Sequence, residues 1–221
     1  MAHTTKVKIC GLTTEAALDA ALAGGADYVG LVFFPPSPRN LTPVAAAPLA
    51  AKARGRARIV ALMVDPDDAL VEAVVAVVDP DLLQLHGEEA PERVAEVRRR
   101  WAKPVMKAVK VETAADAEVA LAYRGVADLI LFDARAPRDA TRPGGNGAAF
   151  DWGALASVKG KVAYMLSGGL GPENVAEAIR VTGAATVDVS SGVETRPGQK
   201  DPELIRRFLR AAKAANEGAE A

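Results

Sequence analysis

The chain predicts an α/β fold, a single-domain (β/α)8 TIM barrel, and three observations lead there. Short runs rich in Val, Ile and Leu recur eight times, amphipathic helical segments separate them, and no strand-rich stretch is left over to form a sheet edge. Near-continuous apolarity suits parallel strands covered on both faces. Eight units in about 200 residues, roughly 25 each, sit at the compact end of such barrels. An open doubly wound sheet shares the local pattern, which by itself does not show closure.

The expected strands are Val7–Cys10, Tyr28–Phe33, Arg58–Val64, Leu82–His86, Pro104–Val111, Leu129–Asp133, Val162–Leu166 and Thr186–Ser190. The helices between them carry start signals: Thr113 with Asp116 as a capping box, Asp201 before Pro202, and Gly171-Pro172-Glu173 at another opening. In 67–78, Leu70, Val74 and Val77 are expected on one face, and Leu204, Ile205, Phe208 and Leu209 share a face in the last helix. Gly24-Gly25 and Gly183 mark helix ends. No linker divides residues 1–221, so one domain is expected, with a flexible tail near 215–221.

Composition narrows the function classes. The 221 residues are half hydrophobic and a quarter charged, with a formal charge of −1, which gives no electrostatic case for nucleic acid or an anionic membrane. The single cysteine excludes an internal disulfide framework and any multi-cysteine metal site. The first residues lack the apolar core of a signal peptide, no window is apolar enough to span a bilayer, and a cytoplasmic location is expected. The pattern leaves monomer and homodimer both open.

Candidate chemistry gathers where strands end. Alternation puts Lys8 and Cys10 toward the lumen with Val7 and Ile9 outward, Leu129, Leu131 and Asp133 together, and Asp188 with Ser190. Closure would set strand eight beside strand one, so Lys8 and Asp188 are expected as a buried ion pair. Cys10 reads equally as a small buried hydrophobe and as a reactive thiol. Asp133 precedes a long loop, not a helix that needs a cap, which favours a functional role. Asp65 and Asp201 read as helix caps. His86 reads as structural or catalytic, and His3 as part of a disordered terminus. Two glycine-bearing turns, "LSGGLGPENV" with Gly168 and Gly169 and "VSSGVE" with Ser190, Ser191 and Gly192, follow strands seven and eight, where barrels bind phosphate. Arg39 lies in the proline-stiffened "FPPSPRNLT", which suits a guanidinium held for a carboxylate.

Taken in order, "KICGLT", "GADYVGLVFFPPSPR", "LLQLHG", the Asp133 strand end, "GGNGAAFDW", "LSGGL" and "VDVSSGVE" with "PGQKD" cover nearly the whole chain. Together they resemble the phosphoribosylanthranilate isomerase family of tryptophan biosynthesis. The resemblance implies an Amadori rearrangement of a small phosphorylated substrate, without cofactor or metal. It implies Asp133 as general acid, Cys10 as general base, Arg39 on the anthranilate carboxylate, and the turns at Gly168, Gly169, Ser190, Ser191 and Gly192 as the phosphate cradle. Two positions depart from the family pattern: Ala148 and Pro36 stand where basic or polar residues are common. Other readings are a thiol-nucleophile enzyme using Cys10 with His86, the aminoimidazole ribotide isomerase barrel with paired aspartates, and a non-catalytic sugar-phosphate-binding barrel.

Overall fold

The computed structural model describes residues 5–134 and 150–215. His3, Ala148 with the loop around it, and the expected tail beyond Ala215 lie outside the described residues. Eight parallel strands close into a barrel in sequential order: β1 Lys6–Cys10, β2 Tyr28–Phe33, β3 Arg58–Met63, β4 Leu82–Leu85, β5 Val105–Val111, β6 Leu129–Ala134, β7 Tyr164–Leu166 and β8 Thr186–Val189. The ring is sealed by β1 against β8, with Val7 opposite Val187 and Lys8 opposite Asp188. The open sheet is thereby excluded.

Among the described residues seven α-helices pack outside: α1 Glu15–Ala23, α2 Pro43–Ala53, α3 Asp68–Val78, α4 Pro91–Trp101, α5 Ala114–Glu118, α6 Val175–Thr182 and α7 Pro202–Ala214. The unit after β6 holds, among the described residues, a 3-10 helix at Trp152–Val158 in place of an α-helix. The Thr113–Asp116 capping box forms, and Asp201 caps α7 by accepting from the N–H groups of Glu203 and Leu204. Ile205, Phe208 and Leu209 are buried on α7, while Leu204 is partly buried.

Three expectations need correction. Along α3 the buried face is Val71, Val74 and Val78, and Val77 is 46% exposed. The helix is apolar almost all round, so its pattern did not say which stripe meets the barrel. Asp65 is not a cap. It adopts a left-handed backbone (φ 44°) and accepts the Glu88 N–H, while Asp67 caps α3. The helix after β7 begins at Val175, because Asn174 holds the preceding turn open, accepting from Gly171 N–H and donating to the Gly169 carbonyl.

Two apolar layers result. The outer one lies between strands and helices and takes Val7 and Ile9, as alternation requires. The inner one plugs the barrel with Tyr28, Val60, Leu82, Met106, Ala108, Leu131 and Met165. Above this plug the lumen turns polar.

Candidate active site

The β1 parity that sends Val7 and Ile9 outward brings Lys8 and Cys10 inward. Cys10 is 3% exposed and packs with Val32 and Leu62, edged by Phe34 and Val64. Its thiol has room because β2 carries Gly30 opposite, where a Cβ would stand 2.9 Å from Sγ. Beneath it Lys8 Nζ pairs with Asp188 Oδ1 at 2.9 Å, fully buried, and Ser167 donates to Asp188 Oδ2. Burial pushes the Cys10 thiol above its usual range, although the Lys8 ammonium pulls against that effect. Burial pulls the Lys8 pKa down too, but the Asp188 and Cys10 charges more than offset this, and it ends above the usual lysine value.

Asp133 ends β6, three strands from β1 around the ring, and is 6% exposed. Its Oδ2 lies 3.2 Å from His86 Nε2, and His86 Nδ1 lies 2.9 Å from Gln84 Nε2. A Gln84 amide N–H donated to Nδ1 would leave Nε2 as the ring nitrogen carrying a hydrogen toward Asp133. Among the described residues, the side chain of His86 contacts Asp133 and Gln84. That removes support from the thiol-nucleophile reading, which needs a base at the thiol.

The loop of His86 is braced from behind. Glu89 accepts from the N–H groups of Asp65 and Gly87 and pairs with buried Lys107 at 2.9 Å. Lys107 also donates to the Gly87 and Ala108 carbonyls.

The turns after β7 and β8 interlock. Gly168 and Gly169 have φ of 88° and 63°, which other residues rarely adopt. Gly192 comes so close to the Leu170 carbonyl that a Cβ would overlap it. Ser190 donates to the Cys10 carbonyl, tying this corner to β1.

Arg39 is buried, and Glu194 holds it in a two-pronged pair, with Nε to Oε1 and Nη2 to Oε2 both at 2.7 Å. Pro36 lies exposed on the same loop. Glu194 opens a short hairpin, β9 Glu194–Arg196 with β10 Gln199–Lys200. Burial raises the Glu194 pKa, but the bonds from Arg39 and Lys200 outweigh it and leave the carboxyl below its usual range. The residue reading passed over Glu194, Lys200, Gln84 and Ser167. The one available signal was the Pro-Gly turn in "PGQKD", which folds Lys200 back toward Glu194.

The site therefore joins a buried thiol, a carboxyl backed by a histidine, a held guanidinium and two glycine turns at one barrel mouth. Comparisons with known proteins identify the family. The sequence model of the family described as PRAI, N-(5'phosphoribosyl)anthranilate (PRA) isomerase, matches residues 7–211. The N-(5'-phosphoribosyl)anthranilate isomerase of Rhodopseudomonas palustris (strain BisA53) is 60% identical over 208 residues, 94% of this chain and 95% of its own. The phosphoribosyl anthranilate isomerase structure from Thermotoga maritima aligns with a TM-score of 0.86 at 36% identity, covering 95% of this chain and 99% of that one. A phosphoribosyl anthranilate isomerase in complex with reduced 1-(o-carboxyphenylamino)-1-deoxyribulose 5-phosphate aligns at 0.83, with the same identity and coverage. A further structure, also at 0.83 and 36% with the same coverage, shows monomers generated from the dimeric Thermotoga maritima protein. The chain belongs to the N-(5'-phosphoribosyl)anthranilate isomerase family.

Proposed function

We propose that this isomerase works by general acid–base catalysis, with Asp133 as the acid and Cys10 as the base. The reaction, a step of tryptophan biosynthesis, converts N-(5-phosphoribosyl)anthranilate to 1-(2-carboxyphenylamino)-1-deoxyribulose 5-phosphate. Asp133 protonates the ring oxygen as the C1–O bond breaks, and the nitrogen lone pair forms an iminium. Cys10, as thiolate, removes the C2 proton; the electrons move into the C1–C2 bond, and the resulting enolamine tautomerises to the ketone. The iminium acidifies C2–H, so a small thiolate fraction suffices.

The observation that carries this reading is the placement of Cys10 and Asp133 on different strands of one ring, both buried at its carboxyl end. Arg39 takes the substrate carboxylate, with the Val32–Leu62 side of the mouth available to the aromatic ring. The turns at Gly168, Gly169, Ser190, Ser191 and Gly192 take the phosphate through their backbone. The neutral Nε2–H of His86 supports the Asp133 carboxylate once its proton has gone. We place the enzyme in the cytoplasm as a monomer or homodimer, the latter supported by the dimeric relative; light scattering after gel filtration decides which. No helix among the described residues is long and apolar enough to cross a membrane.

Fluorescence decay of phosphoribosylanthranilate tests the mechanism. Cys10→Ala and Asp133→Asn should each lower kcat by about 10²–10⁴-fold with the fold retained, the usual contribution of a positioned acid or base. Near-normal turnover in either variant would refute its role.

A further inference from the structure

Lys200 takes no part in these proton transfers, yet its side chain is 1% exposed beside the site. The hairpin pairs it with Glu194 past a register shift between Gln199 and Lys200, across a turn in which Gly198 has a φ of 83°. Lys200 Nζ lies 2.6 Å from Glu194 Oε1, and donates to the Ser190 carbonyl at 2.9 Å and to Ser190 Oγ at 3.2 Å. Glu194 in turn grips Arg39 by both oxygens, and Ser190 Oγ donates to the Cys10 carbonyl. A single ammonium thus links the end of β8 to the loops that follow β1 and β2.

We propose that Lys200 is a positioning residue for the isomerase reaction: it anchors Glu194 to the β8 corner, and Glu194 then presents Arg39 to the substrate carboxylate. The proposal rests on Arg39 being the carboxylate clamp. A two-pronged arginine–carboxylate pair fixes the two groups relative to each other, but leaves the pair free to pivot. A second donor on Oε1, itself bonded to the Ser190 carbonyl just past β8, restricts that freedom beyond what the Gly198 N–H on Oε2 provides.

Electrostatics argue that Lys200 is not there for stability. Burial pulls its pKa down to about 8; the Glu194 charge and hydrogen bond oppose this without offsetting it, and Arg39 adds a smaller like-charge repulsion. A lysine whose partners fail to offset its desolvation is expected to be replaceable by an apolar side chain with little loss of fold.

The test uses the full chain and two probes, reduced 1-(o-carboxyphenylamino)-1-deoxyribulose 5-phosphate and its phenylamino counterpart lacking the carboxylate. Calorimetry on wild type should favour the carboxylated probe by at least about tenfold. Arg39→Ala should erase that preference. Lys200→Met and Lys200→Gln should lose most of it, raise KM several-fold and leave kcat within about twofold; Lys200→Arg should retain most of it. In the Arg39→Ala background, Lys200→Met should change KM by less than about twofold, because its effect runs through Arg39. If Arg39→Ala keeps the preference, the clamp reading fails and takes this proposal with it. If Arg39→Ala loses it while both Lys200 variants keep it, the clamp stands and the proposal alone is overturned. A full additional loss in the double variant would also overturn it, as would failure of both Lys200 variants to fold.

Discussion

Lys8 and Lys200 are both buried lysines paired with a carboxylate at the same end of one barrel, yet their surroundings drive them in opposite directions. Lys8 faces Asp188 across the β1–β8 seam, a carboxylate that pairs with no second cation among the described residues; the lysine's pKa ends raised. Lys200 shares Glu194 with Arg39, and its pKa falls to about 8. Burial lowers both; at Lys8 the Asp188 and Cys10 charges more than offset it, whereas at Lys200 Glu194 does not and Arg39 adds a smaller repulsion. A buried pair is by itself weak evidence for stability, so what each lysine does for the fold is read from variants.

The largest expected effect sharpens this contrast through stability. Lys8→Met strands Asp188 in the lumen with only the Ser167 hydroxyl, and should cost about 3–5 kcal/mol in urea unfolding at pH 7. Lys200→Met leaves Glu194 paired with Arg39 and should cost less than about 1 kcal/mol. Equal losses would erase the distinction.

A smaller effect appears in the pH dependence. The raised Lys8 pKa contributes stability that is fully present below the unfolded lysine value near 10.5, and is lost as pH climbs through the higher folded value. The lowered Lys200 pKa works the other way. Its penalty is present below about pH 8 and is relieved between about 8 and 10.5, where the unfolded chain holds the extra proton. Wild type should therefore gain stability relative to Lys200→Met over that window; a difference independent of pH would break the assignment.

The smallest effect concerns the thiol. Lys8 opposes the burial-driven rise of the Cys10 pKa more strongly than Lys200 does. Alkylation of Cys10 by iodoacetamide at neutral pH should slow in Lys8→Met, and slow less in Lys200→Met. The reverse order would contradict the geometry.

Much of this site was legible before any coordinates. Strand parity alone placed Lys8 and Cys10 in the lumen and Val7 and Ile9 outside, because side chains alternate with a period of two whatever the neighbours. The Lys8–Asp188 pair followed once closure was assumed. The helix faces were less legible. Along α3, where five of eleven residues are valine, the choice between Val77 and Val78 depends on how the helix sits on the barrel, which composition does not encode. Arg39 was read as a loop cation held by prolines, whereas its firmest hold comes from a carboxylate 155 positions away. His86 was open between two roles until its neighbour proved to be Asp133 on another strand.

The sequence by itself determined the eight-fold alternation of strand and helix, which residues face inward on each strand, and the glycine turns at the ends of β7 and β8. These depend on periodicity and backbone freedom, which are local properties of the chain. Only the tertiary structure decided closure of the ring, the partner of His86, and the sharing of Glu194 between Arg39 and Lys200. Those contacts join residues far apart in sequence, and their energies depend on which charges the folded interior brings together.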